Sequence, residues 1–152
     1  VFEEQLAEAL ANQSPRNPPA ALIMGDIDHF KQVNDTWGHQ TGDQVIRFVA
    51  SVMSRFAPEN STVARLGGEE FALLIPSIAP DRAKTVAQHI RAAIEGKKLV
   101  RRSSNEDLGR ITISLGLAQA VRGETGESLV SRADAALYAS KRGGRNRVAE
   151  AA

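Results

Sequence analysis

The chain has 152 residues, enough for one hydrophobic core and too few for two. Hydrophobic residues make up 42% and charged residues 24%, which excludes a disordered tail. The 19 basic and 18 acidic residues leave a formal net charge of +1, without the basic excess of a nucleic-acid binder.

There is no cysteine, so disulfides, zinc–thiolate sites and thiol nucleophiles are excluded and redox chemistry does not constrain the compartment. No apolar run approaches the roughly 18 residues of a membrane-spanning helix. A start at Val1, without methionine or a signal-peptide pattern, predicts a piece of a longer protein, so missing targeting signals say little about the parent.

In chain order, Val1 to Ala11 carries Phe2, Leu6 and Leu10 at helical spacing and predicts the end of an amphipathic helix. Asn12 to Pro19 holds three prolines among polar residues and predicts a loop. Ala20 to Ile27 is a short apolar run of strand length, interrupted by Asp26. Thr41 to Phe56 sets Val45, Val49, Val52, Met53 and Phe56 on one helical stripe, with Pro58 beyond. Thr62 to Leu66 and Phe71 to Ile75 flank Gly67-Gly68-Glu69-Glu70, a hairpin pattern. A helix opens at Pro80-Asp81 and closes at Gly96. Lys97 to Arg110 is polar and basic and predicts an exposed loop; Arg110 to Ala120 alternates apolar residues and predicts a long half-buried strand. A last helix spans about Glu127 to Lys141, and Gly143-Gly144 separate it from a short strand around Arg147 to Ala149. This order predicts one α/β (α+β) domain over residues 1–152, with a helix end and loop at 1–19 and a core at 20–148. Helices would cover a mostly antiparallel central sheet.

The informative chemistry lies at two strand ends. Asp26 and Asp28 close an apolar strand two residues apart and project to one side while the strand lasts. In the alternative reading Asp28 caps the following helix and Asp26 faces solvent. Glu69 and Glu70 follow Gly67-Gly68, a pair that admits left-handed backbone and lets a ligand approach closely. Alone, that segment also reads as a plain exposed turn. If the hairpin packs beside the first strand, three carboxylates converge. Unit charges 4 Å apart repel by about 4 kcal/mol at an effective dielectric near 20, so convergence requires a cation. With oxygen ligands only, the fitting ion is Mg²⁺ or Mn²⁺, completed by the phosphates of a nucleoside triphosphate.

Trp37, the single tryptophan, reads as packing in a helix–helix corner, His29 as packing at a helix start and His89 as surface. Lys97-Lys98 and Arg101-Arg102 read as a solvated loop.

The segment Arg65-Leu66-Gly67-Gly68-Glu69-Glu70-Phe71 resembles the signature of GGDEF-domain diguanylate cyclases. The likeness extends to Asp26-Ile27-Asp28-His29-Phe30-Lys31, Asn34-Asp35, Gly38-His39 and Gly42-Asp43. It continues through Thr112-Ile113-Ser114-Leu115-Gly116, Arg132-Ala133-Asp134, Ala136-Leu137-Tyr138, Lys141 and Gly144-Arg145-Asn146. Colinear motifs over about residues 20–148 make it specific.

The resemblance implies a palm-like nucleotidyl-cyclase fold. It implies condensation of two GTP into cyclic di-GMP with release of two pyrophosphates, across a two-fold homodimer. It places Mg²⁺ or Mn²⁺ on the Asp26 and Glu69 side chains and the Ile27 carbonyl, and general-base work on Glu69 or Glu70. Asn34 and Asp43 would read guanine, with His39 touching the nucleotide. Gly67 and Gly68 would let the substrate approach, and Lys31, Lys141 and Arg145 would hold phosphates. A carboxylate at 43 suits guanine's N1–H and N2–H₂ donors, and an amide at 34 can both donate and accept. An upstream sensor domain and a bacterial cytoplasmic location follow by the same likeness, with the parent free to be membrane-anchored; no nucleic-acid partner is expected.

Many members carry an inhibitory product site, an Arg-x-x-Asp segment beginning nine residues before the first glycine of the signature. That window is Pro58-Glu59-Asn60-Ser61 here, which predicts no feedback inhibition through it. The usual Asp-x-Leu-Thr segment just upstream of Val1 is also missing, consistent with a trimmed, less active chain. The alternative function is a catalytically inactive module binding GTP or cyclic di-GMP; the presence of Asp26, Asn34, Asp43, Glu69 and Glu70 favours catalysis. A cyclase making adenine-containing dinucleotides is a third reading, against which Asp43 speaks.

Overall fold

The computed structural model describes residues 1–100, 104–105 and 107–152. In chain order its elements are α1 (Phe2–Ala11), β1 (Ala21–Ile27), α2 (Phe30–Trp37), α3 (His39–Phe56), β2 (Thr62–Gly67) and β3 (Glu70–Ile75). There follow α4 (Pro80–Gly96), β4 (Lys98–Val100), β5 (Asp107–Arg110), β6 (Ile113–Gln119), α5 (Gly126–Arg142) and β7 (Val148–Glu150).

All seven residues of β1 are buried, because it is the middle strand of a five-stranded sheet ordered β2-β3-β1-β6-β7 with helices on both faces. Alternation along the strand divides its side chains between two layers. Ile23 and Ile27 join Val49 and Met53 of α3 and Ile90 of α4. Leu22 and Met24 join Leu6 of α1 and Leu129 and Ala133 of α5. Each such large side chain contributes about 1.5–3 kcal/mol when fully buried. β1 pairs antiparallel with both β3 and β6, and among the described residues only β6–β7 is parallel. The predicted mixed fold with a mostly antiparallel, helix-covered sheet is therefore present. α5 lies so near β6 that a Cβ on Gly116 would stand 2.2 Å from the Leu137 amide nitrogen and 2.4 Å from the Ala133 carbonyl oxygen.

Two expectations need correction, one element had no bounds, and one alternative reading is closed. The stretch predicted as an exposed basic loop contains the two-stranded pair β4–β5. Leu99 anchors it in the α3–α4 layer, while Lys98–Asp107 at 3.0 Å and the Gln44 amide on the Val100 carbonyl at 3.0 Å hold its outside. Strands of three and four residues among charges are too short to show a period. Arg101 and Arg102 lie outside the described residues. The strand expected over 110–120 is two elements, because β5 ends at Arg110 and β6 begins at Ile113; Ile111 is buried without being in a strand. α2 is the helix expected after Asp28, for which the sequence sets no bounds, since eight polar-rich residues with only Phe30 buried carry little periodicity. Finally, Asp28 does not cap α2: the N-cap is His29, at φ +56 and without a side-chain cap bond. Trp37 is half-buried at the α2–α3 corner, and His89 is exposed on α4.

Candidate active site

β1 delivers two carboxylates to one end of the sheet, on the α5 side, and both are buried: Asp26 is 7% and Asp28 5% exposed. The two have different partners. Asp26 Oδ2 accepts from Lys141 Nζ at 2.5 Å, on the last turn of α5. Burial pushes the Asp26 carboxyl above its ordinary range; Lys141 works against this, and the charges of Glu69 and Asp28 add to it. The cluster is therefore rich in negative charge, with one ammonium on it.

Asp28 is fully engaged by hydrogen-bond donors. Its Oδ1 accepts from Ser114 Oγ at 2.6 Å, and its Oδ2 accepts from Thr112 Oγ1 at 2.7 Å and from the Asn146 amide at 3.0 Å. Thr112, Ser114 and Asn146 carry no role in the sequence beyond their place in the motifs. The available signal was two hydroxyls at alternate positions beside an apolar strand, facing the side to which the aspartates point.

The β2–β3 hairpin brings the glutamates to the same end. Asp26 stands in register with Glu70 of β3 and with Ser114 of β6, and the Ile27 amide donates to the Glu69 carbonyl at 3.2 Å. Glu69 is half-buried in the turn, while Glu70 is exposed at the start of β3. The turn is closed by Arg65 Nε on the Gly68 carbonyl at 2.9 Å, with Gly67 and Gly68 exposed and Gly68 at φ +45. The predicted approach of hairpin and first strand is present.

The α2–α3 corner holds a second group. Asn34 is half-buried on α2, and its Oδ1 is buried without a hydrogen-bond partner. It rests against Gly42, where a Cβ would lie only 1.9 Å from that oxygen. Asp43 follows on the exposed side of α3, near its start. Lys31 on α2 and His39 at the start of α3 are exposed, and among the described residues neither hydrogen-bonds to the acids. Arg145 is exposed in the α5–β7 turn at φ +66.

The donors at the strand ends fit a hard divalent cation. Asp26, Glu69 and the Ile27 carbonyl are all oxygen ligands, set where burial and neighbouring charge disfavour an unneutralised Asp26. Among the described residues no group of three or more His, Asp or Glu side chains is placed to hold a metal, so the hairpin lies beside β1 as expected but the convergence of three carboxylates does not follow from it; Asp26, Glu69 and the Ile27 carbonyl could supply at most part of a shell. That suits Mg²⁺, which keeps water and substrate phosphates among its ligands.

The model of one protein family, described as diguanylate cyclase, GGDEF domain, matches residues 1–147. The chain is 44% identical over 128 residues to diguanylate cyclase VdcA of Vibrio cholerae, covering 84% of this chain and 38% of that protein. It thus spans about two fifths of that relative's length. Among solved structures it resembles the GGDEF domain of DgcB from Caulobacter crescentus in complex with c-di-GMP, with a TM-score of 0.93 and 53% identity over 98% of this chain and 87% of that one. It also resembles the active GGEEF domain of a diguanylate cyclase from Vibrio cholerae, with a TM-score of 0.89 and 29% identity over 99% and 94% of the two chains.

Proposed function

The chain belongs to the GGDEF domain family of diguanylate cyclases, and from that premise we propose that it condenses two GTP molecules into cyclic di-GMP and two pyrophosphates, using Mg²⁺ or Mn²⁺. The family implies a nucleotide substrate and a divalent metal. The carrying observation is the juxtaposition of buried Asp26, the Lys141 ammonium 2.5 Å from it and the Glu69 turn bonded to Ile27.

Asp26, Glu69 and the Ile27 carbonyl would hold the cation, which when bound neutralises phosphate charge and increases the acidity of the attacking hydroxyl. Glu69 takes the proton from the 3′-hydroxyl, with Glu70 beside it. The 3′-oxygen forms a bond to the α-phosphorus of the other GTP as the bond to pyrophosphate breaks. Lys31, Lys141 and Arg145 bind the phosphates and stabilise the charge that builds on the leaving group. Asn34 and Asp43 select guanine through its N1–H and N2–H₂ donors; His39 contacts the nucleotide, and Gly67-Gly68 allow it close to the hairpin backbone. Each domain carries one GTP, so two domains must face each other across a two-fold axis. In a longer parent an upstream sensor domain would govern that encounter.

The test is incubation with GTP and Mg²⁺, with and without Glu69→Ala, and identification of the dinucleotide by mass. The wild type is expected to yield cyclic di-GMP at a rate quadratic in enzyme concentration, and Glu69→Ala none. GTP bound but never converted would favour the regulatory-module reading instead.

A further inference from the structure

The Asp28 carboxylate is buried, carries three hydrogen bonds and has no part in the mechanism above. Its donors come from two places: the Thr112 and Ser114 hydroxyls at the entry to β6, and the backbone N–H of Asn146 in the α5–β7 turn. That turn is unusual. Arg145 and Asn146 are consecutive non-glycine residues at φ +66 and +48, a left-handed conformation that Asn tolerates and Arg disfavours. Such a turn persists only where its surroundings over-determine it. Asp28 fixes its backbone, and the Asn146 side chain fixes it from the other side, donating to Glu95 Oε2 at 2.5 Å and accepting from Arg91 at 3.0 Å.

From these bonds we infer that Asp28 and Asn146 are positioning residues: the buried carboxylate locks the left-handed turn and so aims the Arg145 guanidinium at the substrate phosphates. The inference rests on the reading above in which Arg145 binds phosphate. Asp28 acts as a hydrogen-bond acceptor of fixed place, with both oxygens already occupied. That separates it from Asp26, two residues earlier on the same face. A bidentate guanidinium contact depends on direction as well as charge, so an unlocked turn loses affinity while Arg145 is still present.

The experiment measures the dissociation constant of 3′-deoxy-GTP, which lacks the attacking hydroxyl and does not turn over, in a double-mutant cycle of Asp28→Asn and Arg145→Ala. Each single change is expected to weaken binding about tenfold. Asp28→Asn added to Arg145→Ala is expected to cost no more than about a further twofold. A merely structural Asp28 would lower the folded fraction, and with it kcat, while leaving the dissociation constant of the folded molecules unchanged; that result overturns the inference. So does a multiplicative loss of about a hundredfold in the double variant. If Arg145→Ala leaves affinity intact, the phosphate role of Arg145 falls and the inference with it. If Arg145→Ala weakens binding and Asp28→Asn does not, the inference alone falls. Should Asp28→Asn fail to fold, Asn146→Val and Asn146→Gly decide. Valine rejects the left-handed backbone and should weaken binding about tenfold; glycine accepts it and keeps the amide on Asp28 but loses the Glu95 and Arg91 contacts, so it should recover part of that loss and not all of it; equal affinity in the two variants overturns the inference.

Discussion

Lys141 Nζ lies 2.5 Å from Asp26 Oδ2, joining residues 115 apart in sequence. The lysine has 34% of its side chain exposed and the aspartate 10%, so the pair sits at a mouth with the acid on the inner side. Such a lysine can neutralise the acid before substrate arrives and reach phosphate afterwards. Lys141→Met keeps the apolar stem and removes the charge. The expected result is a fall in kcat/KM for GTP of about a hundredfold, with stability lowered by only about 1 kcal/mol because the ammonium is partly solvated. Initial rates against GTP concentration, beside a thermal melt, check both parts.

Gly42 sets the place of Asn34. A Cβ there would lie 1.9 Å from Asn34 Oδ1 and 3.2 Å from Phe30 Cζ, so Gly42→Ala must displace the amide, and Phe30 is too buried to yield freely. If Asn34 reads guanine, the variant raises KM for GTP about tenfold and narrows the preference for GTP over ATP, while kcat at saturation changes less. Competition between the two nucleotides measures this directly.

Product control should differ from that of many relatives. Pro58-Glu59-Asn60-Ser61 forms the link from α3 to β2, closed by the Ser61 amide on the Pro58 carbonyl at 3.2 Å. It offers no guanidinium at 58 for phosphate and no carboxylate at 61 for guanine; the one acid of the segment, Glu59, stands at neither position of the motif. Sub-micromolar cyclic di-GMP is therefore expected to leave the initial rate unchanged; a product titration in the GTP assay checks it.

The sheet and its long helices were legible because burial on both faces makes β1 an apolar run up to Asp26, and α3 and α4 show their stripes over 18 and 17 residues. What escaped was short or depended on distant partners. α2 and the β4–β5 pair carry too few turns or alternations to stand out. The aspartates could be placed on one side of a strand. That Asp26 meets an ammonium and Asp28 meets hydroxyls could not, because Lys141, Thr112 and Ser114 arrive from β6 and α5, more than 80 residues later.

Acid lability should centre on Glu124, whose side chain is 2% exposed. Burial alone would raise its pKa; the Ser128 hydroxyl, the Val121 amide and the Arg132 guanidinium outweigh this and hold the carboxyl below its ordinary value of 4.5. A folded-state pKa below the unfolded one adds stability that is fully present above about pH 4.5 and lost as pH falls through the lowered value. Glu124→Gln should therefore cost about 1–3 kcal/mol at pH 7, and the gap from wild type should shrink in acid. Urea unfolding at pH 7 and below pH 4 measures both. A gap that widened in acid would contradict this assignment.

Gly116 tests how tightly α5 is seated. The atoms that a Cβ would meet at 2.2 and 2.4 Å are backbone nitrogen and oxygen of α5, which cannot rotate aside as a side chain can. Gly116→Ala must lift the helix from β6, and the move disturbs two links at once. One is the Ser140 hydroxyl on the Leu115 carbonyl at 2.6 Å; the other is Lys141, one residue further along the same turn, on Asp26. Overpacking of this kind costs about 1–3 kcal/mol, so the thermal midpoint should drop by several degrees. Because Lys141 moves with the helix, kcat/KM for GTP should also fall in the fraction that remains folded. A variant as stable as the wild type would mean that α5 does not rest on β6 at this separation. A destabilised variant with unchanged kcat/KM would uncouple the seating of the helix from the Asp26–Lys141 pair.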